Sequence, residues 1–200
     1  MLSPDPRRQA ILSHLRWLWR HLPPKGVLLF FDVQPIAVKA YGGRRYTSAP
    51  QLVLARAQHI RGRFYLFLAY DVGSGRSRWA YFPRKSAEEV CHFMQQVRRW
   101  YPDQAVWIAL DQDPAHPRKA HKTRQQMRTL RLHWVSLPKG SPDDNPVETL
   151  FSDIQLMILD NSNDADVTIT QQRISAHLRG RNQRKDRRMH ITYLFGTHNL

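Results

Sequence analysis

Residues 27–33 read VLLFFDV: five apolar residues in a row after Gly26, then the acid Asp32. A short, wholly apolar run is the pattern of a strand covered on both faces, as in a mixed or parallel sheet with helices on either side. Asp32 is expected to close that strand, which puts a carboxylate at a sheet edge. A second run of the same kind, AVWIAL at 105–110, also gives way to an acid, Asp111. If the two strands are neighbours, their aspartates lie side by side, and two uncompensated carboxylates at close range call for a cation.

Working outward, the chain supplies helices for both faces. Ile11, Leu15, Leu18 and Leu22 recur at helical spacing after Pro4, with Ser3 as the expected cap and Pro23-Pro24 as the stop. The arginines of this helix, Arg7, Arg8, Arg16 and Arg20, are expected to face solvent or phosphate. RFYLFLAY at 63–70 and RWAYFP at 78–83 flank DVGSGRS, whose two glycines permit a tight reversal, so an antiparallel hairpin is predicted. Ser86 and Glu89 form a capping box before Val90, Phe93, Met94 and Val97, giving a helix to about Trp100. A basic helical stretch near 118–130 and a strand at 132–137 come next. Asn145 and Pro146 then open a helix to about 159, with Val147, Leu150, Phe151, Ile154 and Ile158 on one face. A last helix is expected to end at Gly180, and IAVKA with QLVLARA could pair around YGGRRYTSAP within 34–62. This order of elements calls for an α/β fold, a mixed sheet flanked by helices on both faces.

Composition limits the partners. Two hundred residues suit one domain with appendages, and 31 Lys and Arg against 16 Asp and Glu give a formal charge of +15, which favours nucleic acid over other partners. The apolar runs are far short of the roughly 18 residues a membrane span needs. Cys91 is the sole cysteine, so the chain has neither an internal disulfide nor a cysteine-cluster zinc site, and a reducing cytoplasmic setting is expected.

A third acid, Glu148, lies in LPKGSPDDNPVETLFSDI at 137–154. Three converging carboxylates suffice for two Mg²⁺ ions in a phosphoryl displacement. Each residue also has an ordinary explanation. Aspartates end strands as turn formers, and Asn145-x-x-Glu148 is itself a capping box. Asp113, Asp143 and Asp144 are read as turn and cap residues around Pro114 and Pro142.

LLFFDV, LDQDPAH and LPKGSPDDNPVETLFSD together resemble the catalytic domain of the DDE transposases of the mariner superfamily, particularly its bacterial insertion-sequence branch. The corresponding signatures there are an apolar strand ending in the first aspartate, LDN-x-x-x-H, and LPPYSPDLNPIE-x-x-W-S-D. The 36 residues between Asp111 and Glu148 match the mid-thirties spacing of that family. The resemblance implies an RNase H-like fold over 27–160, with 1–26 as an N-terminal linker helix and 161–200 as a C-terminal helix and basic tail. It implies Asp32, Asp111 and Glu148 as catalytic residues and ligands of two Mg²⁺ ions, with Mn²⁺ able to substitute. His116 matches the family's histidine, while Val33, Gln112 and Gln155 stand where glutamate, asparagine and lysine are common.

The activity implied is cleavage of DNA at element ends and then 3′-hydroxyl strand transfer. The partners implied are double-stranded element ends and target, a dimer in the DNA complex, and a separate or frameshift-joined helix-turn-helix part. A protein of this kind is expected on the nucleoid when bound to DNA. Phosphate contacts are expected from Arg118, Lys119, Lys122 and Arg124, and from Arg179, Arg181, Arg184 and Lys185 in the basic run RGRNQRKDRR at 179–188. Two rivals stand beside this reading: a catalytically decayed DNA-binding protein, and an RNase H-like host nuclease.

Overall fold

The structure is a computed structural model that describes residues 5–41, 59–112, 116, 120–160 and 162–184. Five strands form one sheet in the order β3-β2-β1-β4-β5, with β1 at Val27–Val38, β2 at Gly62–Asp71, β3 at Ser77–Phe82, β4 at Val106–Leu110 and β5 at Leu132–Ser136. β1, β2 and β3 run antiparallel, whereas β4 and β5 join β1 in parallel, so the sheet is mixed as the sequence predicts.

Alternation along β1 divides the core into two layers. Leu28 and Phe30 face the layer of α1 (Arg8–Arg20), α4 (Pro146–Ile154) and α5 (Val167–Gln183). Leu29, Phe31 and Val33 face α2 (Ala87–Trp100) and α3 (His121–Thr129). The β2–β3 reversal closes at Gly75, whose φ of 70° lies in the left-handed region open to glycine.

Three expectations are corrected. Asp32 does not close β1: the strand runs on to Val38, because β2 stays alongside it as far as the Val38–Gly62 pair after β4 has stopped at the Phe31–Leu110 pair. Ile36 to Val38 pair with Phe64 to Gly62, and QLVLARA at 51–57, the other half of the expected IAVKA pairing, lies outside the described residues. α1 begins at Arg8, since Asp5 closes a turn there by accepting the Arg7 N–H on its carboxylate and the Arg8 N–H on its carbonyl; Ser3 lies outside the described residues. α5 continues past Gly180 to Gln183, held from β3 by Asn182, which accepts the Ser77 N–H and donates to its carbonyl. The helix from Pro146 keeps its expected length, but its final turn, Gln155–Leu159, is a π-helix.

Candidate active site

Because β1 outruns β4, a step is left in the sheet, and the carboxylates meet at that step. Asp32 lies one residue past the last β1–β4 pair and Asp111 is the first residue after β4. Glu148 is in the first turn of α4. All three line one cavity of about 420 Å³, together with Gln112, Asn145 and the 137–142 loop.

Asp32 falls on the α4 side of β1. Its Oδ1 accepts the Val33 N–H at 2.7 Å and its Oδ2 accepts the Asn145 amide at 3.1 Å. Burial pushes its pKa up to about 7, and the negative charges of Asp111 and Glu148 add to this, while the Val33 N–H and the Lys85 cation pull the other way. Glu148 is also raised, first by burial and then by Asp111, with hydrogen bonding to Asp32 opposing.

Asp111 is 44 % exposed, and its Oδ1 lies 2.6 Å from Nδ1 of His116, a fully buried ring packed 5.4 Å from that of Phe31. His116 Nδ1 also faces the Asp111 carbonyl at 3.1 Å. Two acceptors on one ring nitrogen place the neutral ring's proton there.

Glu148 is not the reciprocal half of a capping box. The Asn145 N–H is given to the Pro142 carbonyl at 2.9 Å, and α4 is capped by the Asn145 side chain alone, which accepts the Val147 N–H at 3.2 Å. The glutamate that spacing would have made a cap therefore faces the cavity.

The chemistry of these donors fits a hard divalent cation: the oxygens are carboxylate and amide, and burial together with mutual repulsion raises the pKa of both Asp32 and Glu148. A cation would relieve that repulsion. Among the described residues, no three His, Cys, Asp or Glu side chains are gathered closely enough to hold an ion as they stand. Asp32 is bonded to Val33 and Asn145, and Asp111 to His116.

The basic residues singled out in the sequence are dispersed. Lys122 and Arg124 are on α3, across the sheet from α4. Arg181 reaches the Gly75 carbonyl at 3.3 Å, on the β2–β3 turn at the far end of β1, and Arg179 and Arg184 are exposed on the same α5 segment. Arg118, Lys119 and Lys185 lie outside the described residues, as does Asp113. Cations that the sequence reading passed over are nearer: Lys85 acts on Asp32, and Lys139 lines the cavity. Asp144 is fully buried and paired with Arg8, which corrects the expectation that Arg8 faces outward.

The DDE superfamily endonuclease family matches residues 27–187, most of the chain and all three carboxylates. The chain belongs to the DDE superfamily endonucleases. No curated protein matches its sequence. Its fold is similar to that of the Mos1 strand transfer complex (TM-score 0.65, 16% identity, 94% of this chain and 55% of that chain). It is similar also to the mariner Mos1 paired end complex with Mg (TM-score 0.65, 16% identity, 95% and 58%). The catalytic domain of the Mos1 mariner transposase gives a TM-score of 0.61 at 14% identity, over 94% of this chain and 83% of that one. The DDE chain thus has the RNase H-like fold of that catalytic domain and spans little more than half the length of the chains in the two complexes. Among the described residues, no helix is long and apolar enough to cross a membrane.

Proposed function

We propose that this chain is the catalytic part of a DNA transposase, cutting phosphodiesters at element ends and joining the freed 3′-hydroxyl to target DNA. The observation that carries this reading is the meeting of Asp32, Asp111 and Glu148, from three separate elements, in one cavity at the step where β4 ends. These three residues would hold two Mg²⁺ ions, or Mn²⁺ in their place. When bound, the ions supply Lewis-acid stabilisation of the attacking and leaving oxygens of an in-line displacement.

The chain's own residues do the rest. Asn145 orients Asp32 through its amide, and His116 holds Asp111 through Nδ1. The basic surface, with Lys122, Arg124, Arg179, Arg181 and Arg184 among the described residues and Arg118, Lys119 and Lys185 in the sequence, positions the phosphate backbone. A helix-turn-helix part would read the ends, and two copies would act together on paired ends.

The test is incubation of the purified chain with end-containing DNA and Mg²⁺ or Mn²⁺, with and without a helix-turn-helix protein encoded beside it. Nicking at the ends and joined products are expected. Nicking without joining would turn the reading to a simple nuclease, and salt-sensitive binding with no cleavage would turn it to a decayed DNA-binding protein.

A further inference from the structure

The start of α1 is bonded to the loop that leads into α4. Arg8 grips Asp144 with a two-point fork, Nε to Oδ2 at 2.7 Å and Nη2 to Oδ1 at 2.6 Å, across 136 residues of sequence. The Asp144 side chain is 1% exposed, and the Ser141 hydroxyl donates to the same carboxylate. Three residues before Arg8, Asp5 accepts the Lys139 N–H at 3.1 Å. The loop is thus held near both its ends by one short segment of chain, and Gly140, with φ of 61°, makes its bend.

The site begins at the residue next to Asp144. Asn145 caps α4 and donates to Asp32 at 3.1 Å, and Glu148 is three residues further on. A two-point arginine–carboxylate pair sets direction as well as distance, which a single apolar contact does not. A buried pair of this kind adds little net stability over apolar residues of like volume, so its presence calls for another reason. Arg8 lies outside residues 27–187, which match the family.

We propose that Arg8 is a positioning residue for the carboxylate site: through Asp144 it fixes the loop that sets Asn145, and with it the direction of Asp32 and Glu148. Arg8 touches neither DNA nor metal in this role. The consequence is mechanical. A displacement of α1 is transmitted to the acids through direct bonds, so whatever is attached to the N-terminal segment can tighten or slacken the site. This inference rests on the proposed function for its metal and cleavage readouts, and not for its exchange readout.

Arg8→Ala and Arg8→Lys in the full chain test it, with Gln9→Ala, exposed on the same helix, as the control. In metal-free protein, Arg8→Ala is expected to speed hydrogen exchange of the Val147 and Glu148 amides at least about tenfold, leaving those of Phe93 and Val97 in α2 unchanged. The Mg²⁺ concentration for half-maximal cleavage should rise about tenfold to a hundredfold. Affinity for the DNA should stay within about twofold, since no phosphate contact is removed. Arg8→Lys, which keeps the charge and loses the fork, should fall between the two.

Equal acceleration at α2 and α4, or a parental Mg²⁺ half-point in Arg8→Ala, would overturn the proposal in favour of a purely structural ion pair. Should Arg8→Ala not fold, Arg8→Leu/Asp144→Leu removes both charges together and is judged on the same exchange pattern. A parental chain that never cleaves DNA would sink the proposed function, while the exchange result would still decide the role of Arg8.

Discussion

On the α2/α3 side of the sheet, the rings of Phe31, Phe67 and Phe93 pack with centroids 5.0 to 5.9 Å apart, and Phe93 also meets Trp100 edge-on at 5.7 Å. On the α1/α4/α5 side the same strands support a core that is apolar over Leu28, Phe30 and Leu150 but is bordered by buried Asp144, buried Asn145 and half-buried Asp32. One face holds the protein together mainly through apolar contact, with polar bonds such as that of Arg98 to the Leu130 carbonyl and the buried His116 ring at its margin. The other accepts buried polar groups, each of which must find a partner because leaving it unpaired is costly. The difference teaches where function was built: on the face where strand order and helix caps could bring oxygen donors to a step in the sheet.

The largest test of that division is Asp111→Ala. Cleavage of end DNA should fall by about a thousandfold or more, as expected for loss of a group that acts on the reacting centre, while nonspecific DNA binding persists. Gel assays of both would decide it, and nicking at the parental rate would remove Asp111 from the site. Phe93→Ala, on the dry face, should do the reverse. It should cost about 3–5 kcal/mol in denaturant unfolding and leave cleavage per folded molecule unchanged at low temperature.

Asp32 gives a third contrast, in pH. Its pKa is near 7 when folded and near 3.8 when unfolded, so between those values the native state holds the extra proton. Stability of the metal-free protein should therefore fall as pH rises from about 4 to 7, by on the order of a few kcal/mol, and level off above. Asp32→Asn should flatten that slope in urea titrations, and Mg²⁺ at pH 8 should offset it in the parent. The smallest effect expected is from Asn145→Ala. Loss of the α4 cap should cost about 1 kcal/mol, together with a drop in cleavage that a cap elsewhere, such as Ser86, would not share.

Much of the fold was legible because the strands announce themselves. VLLFF and AVWIAL are short apolar runs, and the glycine-bearing turn between 70 and 78 marks the hairpin. The length of β1 was not legible, since an acid inside a strand reads as its end until a partner strand is known to continue beside it. The three acids could be listed from strand ends, spacing and resemblance. Their convergence was implied by the resemblance and by strands taken as neighbours; the step that produces it was not legible, because it depends on β4 stopping beside Phe31. The Asn145 to Asp32 and Arg8 to Asp144 bonds span more than a hundred residues each and obey no periodicity. Glu148 shows the limit of local rules: its spacing from Asn145 favours a cap, and the competing Pro142 carbonyl decides otherwise.

The early end of β4 has a consequence for how such a cavity can be altered. Among the described residues no strand lies beside β1 on that side from Asp32 onward, so the cavity's width is counted in those residues of β1. Insertions in the surrounding loops would change its rim and leave that floor alone. A change that let the chain after Leu110 run beside β1 for one more pair would do the opposite, drawing Asp111 into the sheet opposite Asp32 and closing the cavity from beneath. The reach of one strand relative to another is therefore the dimension along which this site would be opened or lost.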